Sequence, residues 1–132
     1  IALAAGLLAS WDLFLDPQMV SEGHWSFADP QPALPGVPGI PLSNFIGWII
    51  AATVMMVIAD ALAGPPLRPP DLWSVPVVLL AWVYCSNILA NAVFFGRPAV
   101  AVIGAIGMGI PMAVALRGLR GASPRSDAVA AT

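Results

Sequence analysis

Lysine is absent from this 132-residue chain, and all five of its basic residues are arginine. Charge of either sign is scarce. Charged residues make up 9% of the whole, against about 25% in an ordinary soluble domain. A water-facing surface needs more charge than this, so a soluble globular domain is excluded, and so is a disordered chain. Five basic residues against seven acidic ones leave a net charge of −2. No cationic field exists to hold a phosphate backbone, so nucleic acid is not an expected partner. A single cysteine, Cys85, forms no internal disulfide, and one histidine, His24, leaves no cluster of zinc-type ligands. There is no phosphate loop and no nucleophile elbow. The glycine-rich run at 104–109 has the wrong spacing for a dinucleotide fingerprint and follows no strand. No metal and no cofactor is expected.

What the chain has in abundance is apolar residues, 59% of the total. They fall into four stretches separated by proline-rich breaks, at about 1–20, 43–63, 74–95 and 98–116. Each comes near the roughly 20 residues a helix needs to cross the hydrocarbon core. Barrel strands are about ten residues long and alternate in polarity, which these stretches do not. The predicted class is all-α, a multi-pass transmembrane bundle of about four helices within residues 1–120, with a disordered tail at 121–132. Ser43 and Ser74 suit N-caps, and Pro76 suits a first turn. Gly64-Pro65-Pro66 should stop the second helix. Gly96-Arg97-Pro98 is a tight connection, so the third and fourth helices should be antiparallel neighbours. The stretch from Glu22 to Leu42 carries Pro30, Pro32, Pro35, Pro38 and Pro41, and is expected to be an irregular loop at the membrane surface. Trp25, Trp48 and Trp73 sit near predicted helix ends, as interfacial aromatics do.

The opening residue is Ile1, and no basic region precedes the first apolar run. This reads as a truncation, with earlier helices of the same protein missing, rather than as a signal peptide. Arg68, Arg117, Arg120 and Arg125 fall on one side of the predicted bundle and Arg97 on the other. The positive-inside rule then predicts a cell-membrane protein with a cytoplasmic C-terminus and the 22–42 loop outside.

Several polar groups sit where a membrane disfavours them. Asp12 and Asp16 are four apart, so they share one face of the first helix. A charged aspartate near the bilayer centre costs at least about 2.5–3.5 kcal/mol, and such residues face a bundle interior or a wet cavity. Two close carboxyls there are expected to share one proton, which is what a general acid with a partner base requires. The plainer alternative is a structural pair that caps neighbouring helices. Pro17 should kink or end the helix at Asp16. Asn44, at the start of the second helix, either caps it or faces the loop. Glu22 is close enough in sequence to join the carboxylates, whereas His24 reads as a loop residue. Tyr84, Asn87 and Asn91 make a polar stripe on the third helix. They serve either as interhelical glue, at about 0.6 kcal/mol each, or to hold water or orient the acids. Ala101, Ala105, Gly109 and Ala113 form a small-residue stripe for close packing of the fourth helix, with Pro111 expected to kink it.

Two segments carry a resemblance. One is Trp11-Asp12-Leu13-Phe14-Leu15-Asp16-Pro17-Gln18-Met19-Val20 with Glu22-Gly23-His24-Trp25. The other is Gly39-Ile40-Pro41-Leu42-Ser43-Asn44-Phe45-Ile46-Gly47-Trp48. Together they resemble the carotenoid biosynthesis protein family, whose characterised members include membrane carotenoid hydratases of the γ-carotene 1′,2′-hydratase and bisanhydrobacterioruberin hydratase type. Members look about twice this length, so the chain resembles a C-terminal half.

The resemblance implies water addition to the terminal alkene of a linear carotenoid within the lipid bilayer. On that reading Asp12 or Asp16 donates the proton, and the other carboxylate, helped by Asn44 or Glu22, positions water. Trp11, Phe45 and Trp48 are then candidates to meet the substrate and its cation through their ring faces, and Asn87 and Asn91 to line the site. Two rivals use the same residues differently. A prenyl or lipid transferase would need a fuller acidic motif to hold a magnesium diphosphate. A non-enzymatic membrane subunit organising carotenoid or isoprenoid enzymes would use the aspartates structurally or as a proton relay.

Overall fold

The computed structural model describes residues 1–64 and 72–122. Its elements are α1 (Ala2–Ser21), a hairpin of β1 (Ala33–Leu34) and β2 (Val37–Pro41), α2 (Leu42–Ala63), α3 (Val75–Leu89) and α4 (Pro98–Ala122). A single π-helical turn, Ala90–Phe94, prolongs α3. The protein is an all-α membrane bundle. Among the described residues three helices are long and apolar enough to cross a membrane: Leu42–Ala63, Val75–Phe94 and Pro98–Arg120. Four spans were expected from the apolar runs. α1 has the length, at 20 residues, but Asp12, Asp16 and Gln18 dilute its apolar character.

α1 lies in the middle of the bundle. It packs against α2 on one flank and α4 on the other, and α3 packs on α4. The α1–α2 contact is made by small residues. Ala5 and Ala9, one turn apart, close on Ala52, and all three are buried. On the other flank Leu13 and Phe14 press into α4 at Gly107 and Gly104, where a methyl group on either glycine would overlap them. The Ser10 hydroxyl donates to the Gly107 carbonyl at 3.0 Å. The expected stripe on α4 divides between neighbours. Ala105 and Gly109 face α3, where the Tyr84 hydroxyl donates to the Ala105 carbonyl at 3.1 Å and abuts Gly109. Ala113 is exposed.

Gly104→Ala is expected to lower stability. Alanine gains up to about 1 kcal/mol of helix propensity over glycine. Overpacking costs about 1–3 kcal/mol, and it prevails because the Phe14 ring is fully buried, with no open side to move into. A lower unfolding midpoint in mixed micelles is the expected result, with Gly118→Ala, which meets nothing, as the control. Equal midpoints for the two variants would mean that the Phe14 ring does not limit the space at Gly104.

Several local expectations are corrected. Pro17 does not end α1, which runs one more turn to Ser21. The lost amide bond frees only the Leu13 carbonyl. The helix stops instead at Gly23, with φ +74°. There the Gly23 N–H donates to the Val20 carbonyl and the His24 N–H to the Met19 carbonyl, the paired bonds of a Schellman end. The 22–42 segment is not wholly irregular. Ala33 pairs with Pro41 and Leu34 with Val37, antiparallel, around Pro35-Gly36. Proline followed by a glycine at φ +71° is the chemistry of a type II turn. The hairpin presses Leu34, Val37 and Ile40 into the α1–α4 core. α2 begins at Leu42, so Ser43 lies inside the first turn and Pro41 takes the N-cap position. Ser74 is the N-cap of α3, with Pro76 in its first turn. α4 continues past 116 to Ala122 and runs through Pro111. Arg117 and Arg120 near its negative end favour the extra turn. The tail expected at 121–132 therefore starts too early, since 121 and 122 are still helical; Arg68, Arg125 and residues 123–132 lie outside the described residues.

Candidate functional site

The central position of α1 decides which of its side chains are buried. With α2 and α4 on two flanks, the face carrying Asp12 and Asp16 turns toward α2. Asp12 is 5% exposed and Asp16 2%. The two carboxyls lie within hydrogen-bonding reach of each other, as an i, i+4 pair allows. Opposite them stands Asn44, in the first turn of α2. Its position there follows from the start of the helix at Leu42, whose N–H is fixed to the Pro32 carbonyl at 2.8 Å. The Asn44 Nδ2 donates to Asp12 Oδ2 at 3.1 Å and also to Asp16 Oδ2. One amide nitrogen thus bridges both acids.

The remaining oxygens differ. Asp12 Oδ1 is buried and has no hydrogen-bond partner among the described residues. Asp16 is additionally reached by the Trp25 side chain, whose indole N–H is its only donor. Trp25 arrives from the loop just beyond α1. Its role was missed in the sequence, where it read only as an interfacial aromatic, because the return of that loop over α1 is a tertiary feature.

The other candidates are placed as follows. Glu22 takes the C-cap position of α1 with helical backbone angles and is exposed; six residues beyond Asp16, it falls on another face of the helix. Phe45 packs between the two core clusters. Trp48 lines a groove of about 550 Å³ together with Asn44, Phe27 and Gly47, so one wall of that groove is the residue that holds the acids. Trp11 lines a separate, almost wholly apolar groove of about 450 Å³ with Leu8, Leu80 and Met108. Asn87 and Asn91 bond within their own helix. Asn87 Nδ2 donates to the Val83 carbonyl at 2.8 Å and Asn91 Nδ2 to the Asn87 carbonyl at 3.0 Å. Among the described residues no hydrogen bond joins either amide to the carboxyl pair. Asn91 sits in the π-turn, 1% exposed, and its Oδ1 has no partner among the described residues.

The arrangement combines a buried pair of carboxyls, one neutral bridging donor and a vacant carboxyl oxygen in apolar surroundings. It can hold a proton and pass it between two oxygens without a charged partner.

The family described as carotenoid biosynthesis protein matches residues 1–116. No curated protein and no solved structure matches the chain. The matched region takes in α1, the hairpin, α2, α3 and most of α4, and with them Asp12, Asp16 and Asn44. By that match over most of its length, this chain belongs to the carotenoid biosynthesis protein family.

Proposed function

We propose that the protein adds water to the terminal carbon–carbon double bond of a linear carotenoid, in the cell membrane and with its C-terminus in the cytoplasm. The observation that carries this reading is the partnerless Asp12 Oδ1 beside an acid whose oxygen is already held. An alkene offers no lone pair. A hydroxyl meant to protonate it is best placed where no stronger acceptor competes.

The steps balance as a hydration. Asp12, protonated on Oδ1, gives its proton to the less substituted alkene carbon, and the π bond becomes a tertiary carbocation. Water adds to the cation. Asp16, held by Asn44 and Trp25, takes the surplus proton from the new oxygen. The proton then returns from Asp16 to the Oδ2 side of Asp12 across their contact, and a half-turn of the Asp12 carboxyl brings it back to the partnerless position. Ring faces at Phe45 and Trp48 are suited to stabilise the cation. Trp11, on the other groove, is suited to an apolar stretch of the polyene.

Expression in a host that makes linear carotenoids tests this directly. Pigments are expected to gain the mass of one water per modified end. A host whose pigments keep their mass, with the protein present in its membranes, would leave the organising-subunit reading in its place.

A further inference from the structure

We propose that a second site, separate from the carboxyl pair, binds a phosphate oxyanion through Arg97, and that the phosphate belongs to a membrane lipid. Arg97 lies between the end of α3 and the start of α4. Its side chain is fixed on two sides. The Nη2 donates to the Ser21 hydroxyl at the end of α1, and the guanidinium stacks over the Phe95 ring, 5.2 Å from its centre. The backbone N–H of Arg97 is held as well, by the Asn91 carbonyl at 2.7 Å. Nη1 is buried and has no partner among the described residues. Among the described residues no carboxylate pairs with this cation.

Arg97 also lines a cavity of about 360 Å³. The hairpin closes one side through Val37 and Pro38, and the end of α1 closes another through Val20 and Ser21. A guanidinium that is already oriented, and that no described carboxylate neutralises, is suited to a phosphate. Pro98 and Val100 place the first turn of α4 in the same wall, and the positive end of that helix adds to the attraction. The rest of the wall is apolar. A free phosphate gains nothing from Val20, Val37 and Val100, whereas a lipid buries its glycerol and upper acyl carbons there. The place in the fold agrees. The cavity is at the end of α4 opposite Arg117 and Arg120, where a spanning helix meets the headgroups.

The test is native mass spectrometry of the detergent-purified protein with added phosphatidylglycerol, with diacylglycerol of the same chains, and with inorganic phosphate. The wild type is expected to retain phosphatidylglycerol and not diacylglycerol. Arg97→Gln is expected to retain it about tenfold less, the scale of losing a charge-assisted hydrogen bond. Should Arg97→Gln fail to fold, Pro38→Glu answers the same question. Pro38 is exposed on the hairpin, and a carboxylate there pairs with Arg97 and excludes the phosphate. Displacement of phosphatidylglycerol by millimolar phosphate would keep the oxyanion site but assign it to the free ion. Equal retention by wild type and both variants, or equal retention of diacylglycerol, would overturn the proposal.

Discussion

Asp12→Asn is expected to abolish hydration while leaving the protein folded and in the membrane. Asparagine has nearly the shape of aspartic acid, so the packing of α1 against α2 should survive. What it lacks is an acidic proton at the partnerless oxygen position. General acid catalysis by a positioned group is worth about 10²–10⁴ in rate. For an alkene the loss should fall toward the upper end, because proton transfer to carbon is the hard step and water is a poor acid. Asp16→Asn should do less harm, about 10², because a tertiary carbocation captures water readily and needs a base only to clear the second proton. The order of the two variants therefore carries the role assignment. The measurement is hydroxylated against unmodified carotenoid in membranes containing equal amounts of each protein. If Asp16→Asn is the more damaging, the roles are reversed. If both variants make full product, neither carboxyl handles the proton.

The sequence made the acid pair legible because its signal is local. Two aspartates four residues apart in an apolar run can lie only on one face of one helix, and a membrane helix does not turn such a face to lipid. The four helices were legible for a similar reason, since apolar length and proline breaks are read along the chain. Asn44 was in view because its segment reads as the first turn of a helix. Glu22 looked like a third acid, but the helix continues to it and its spacing of six from Asp16 puts it on another face. What could not be read depended on a chain reversal. Trp25 looked like a membrane-surface anchor until the loop brought it back to Asp16.

The hairpin was hidden for another reason. Val37-Pro38-Gly39-Ile40-Pro41 carries two prolines, which read as strand breakers. A two-stranded ribbon has only edges, where a missing donor is tolerated, and burial of Val37 and Ile40 in the helical core supplies the stability that pairing alone would not. Asn87 and Asn91 show a further limit. Their stripe on one face was correctly spaced, but an amide in an apolar helix can turn back to the carbonyl four residues earlier, and both do.

Asn44→Ala should cost about as much activity as Asp16→Asn, and by a different route. A single amide nitrogen serves both buried carboxyls. Its removal leaves two acceptors undersatisfied in a site with little water, at about 1–3 kcal/mol each. Stability should therefore fall, in contrast to Asp12→Asn, and the unfolding midpoint in mixed micelles reads this separately from activity. Activity should fall about 10², because the two oxygens are no longer held at the spacing that lets the proton return from Asp16 to Asp12. Asn44→Gln keeps the donor on a longer arm and should recover part of both losses. Asn44→Asp replaces the donor with a third carboxyl and should be worse than alanine, since three acids would then share one apolar site. In the double variant with Asp12→Asn, the Asn44→Ala substitution should cost little further activity, because no proton remains to be positioned, while its stability cost should persist. Additive losses of activity would mean that Asn44 acts on something other than this pair.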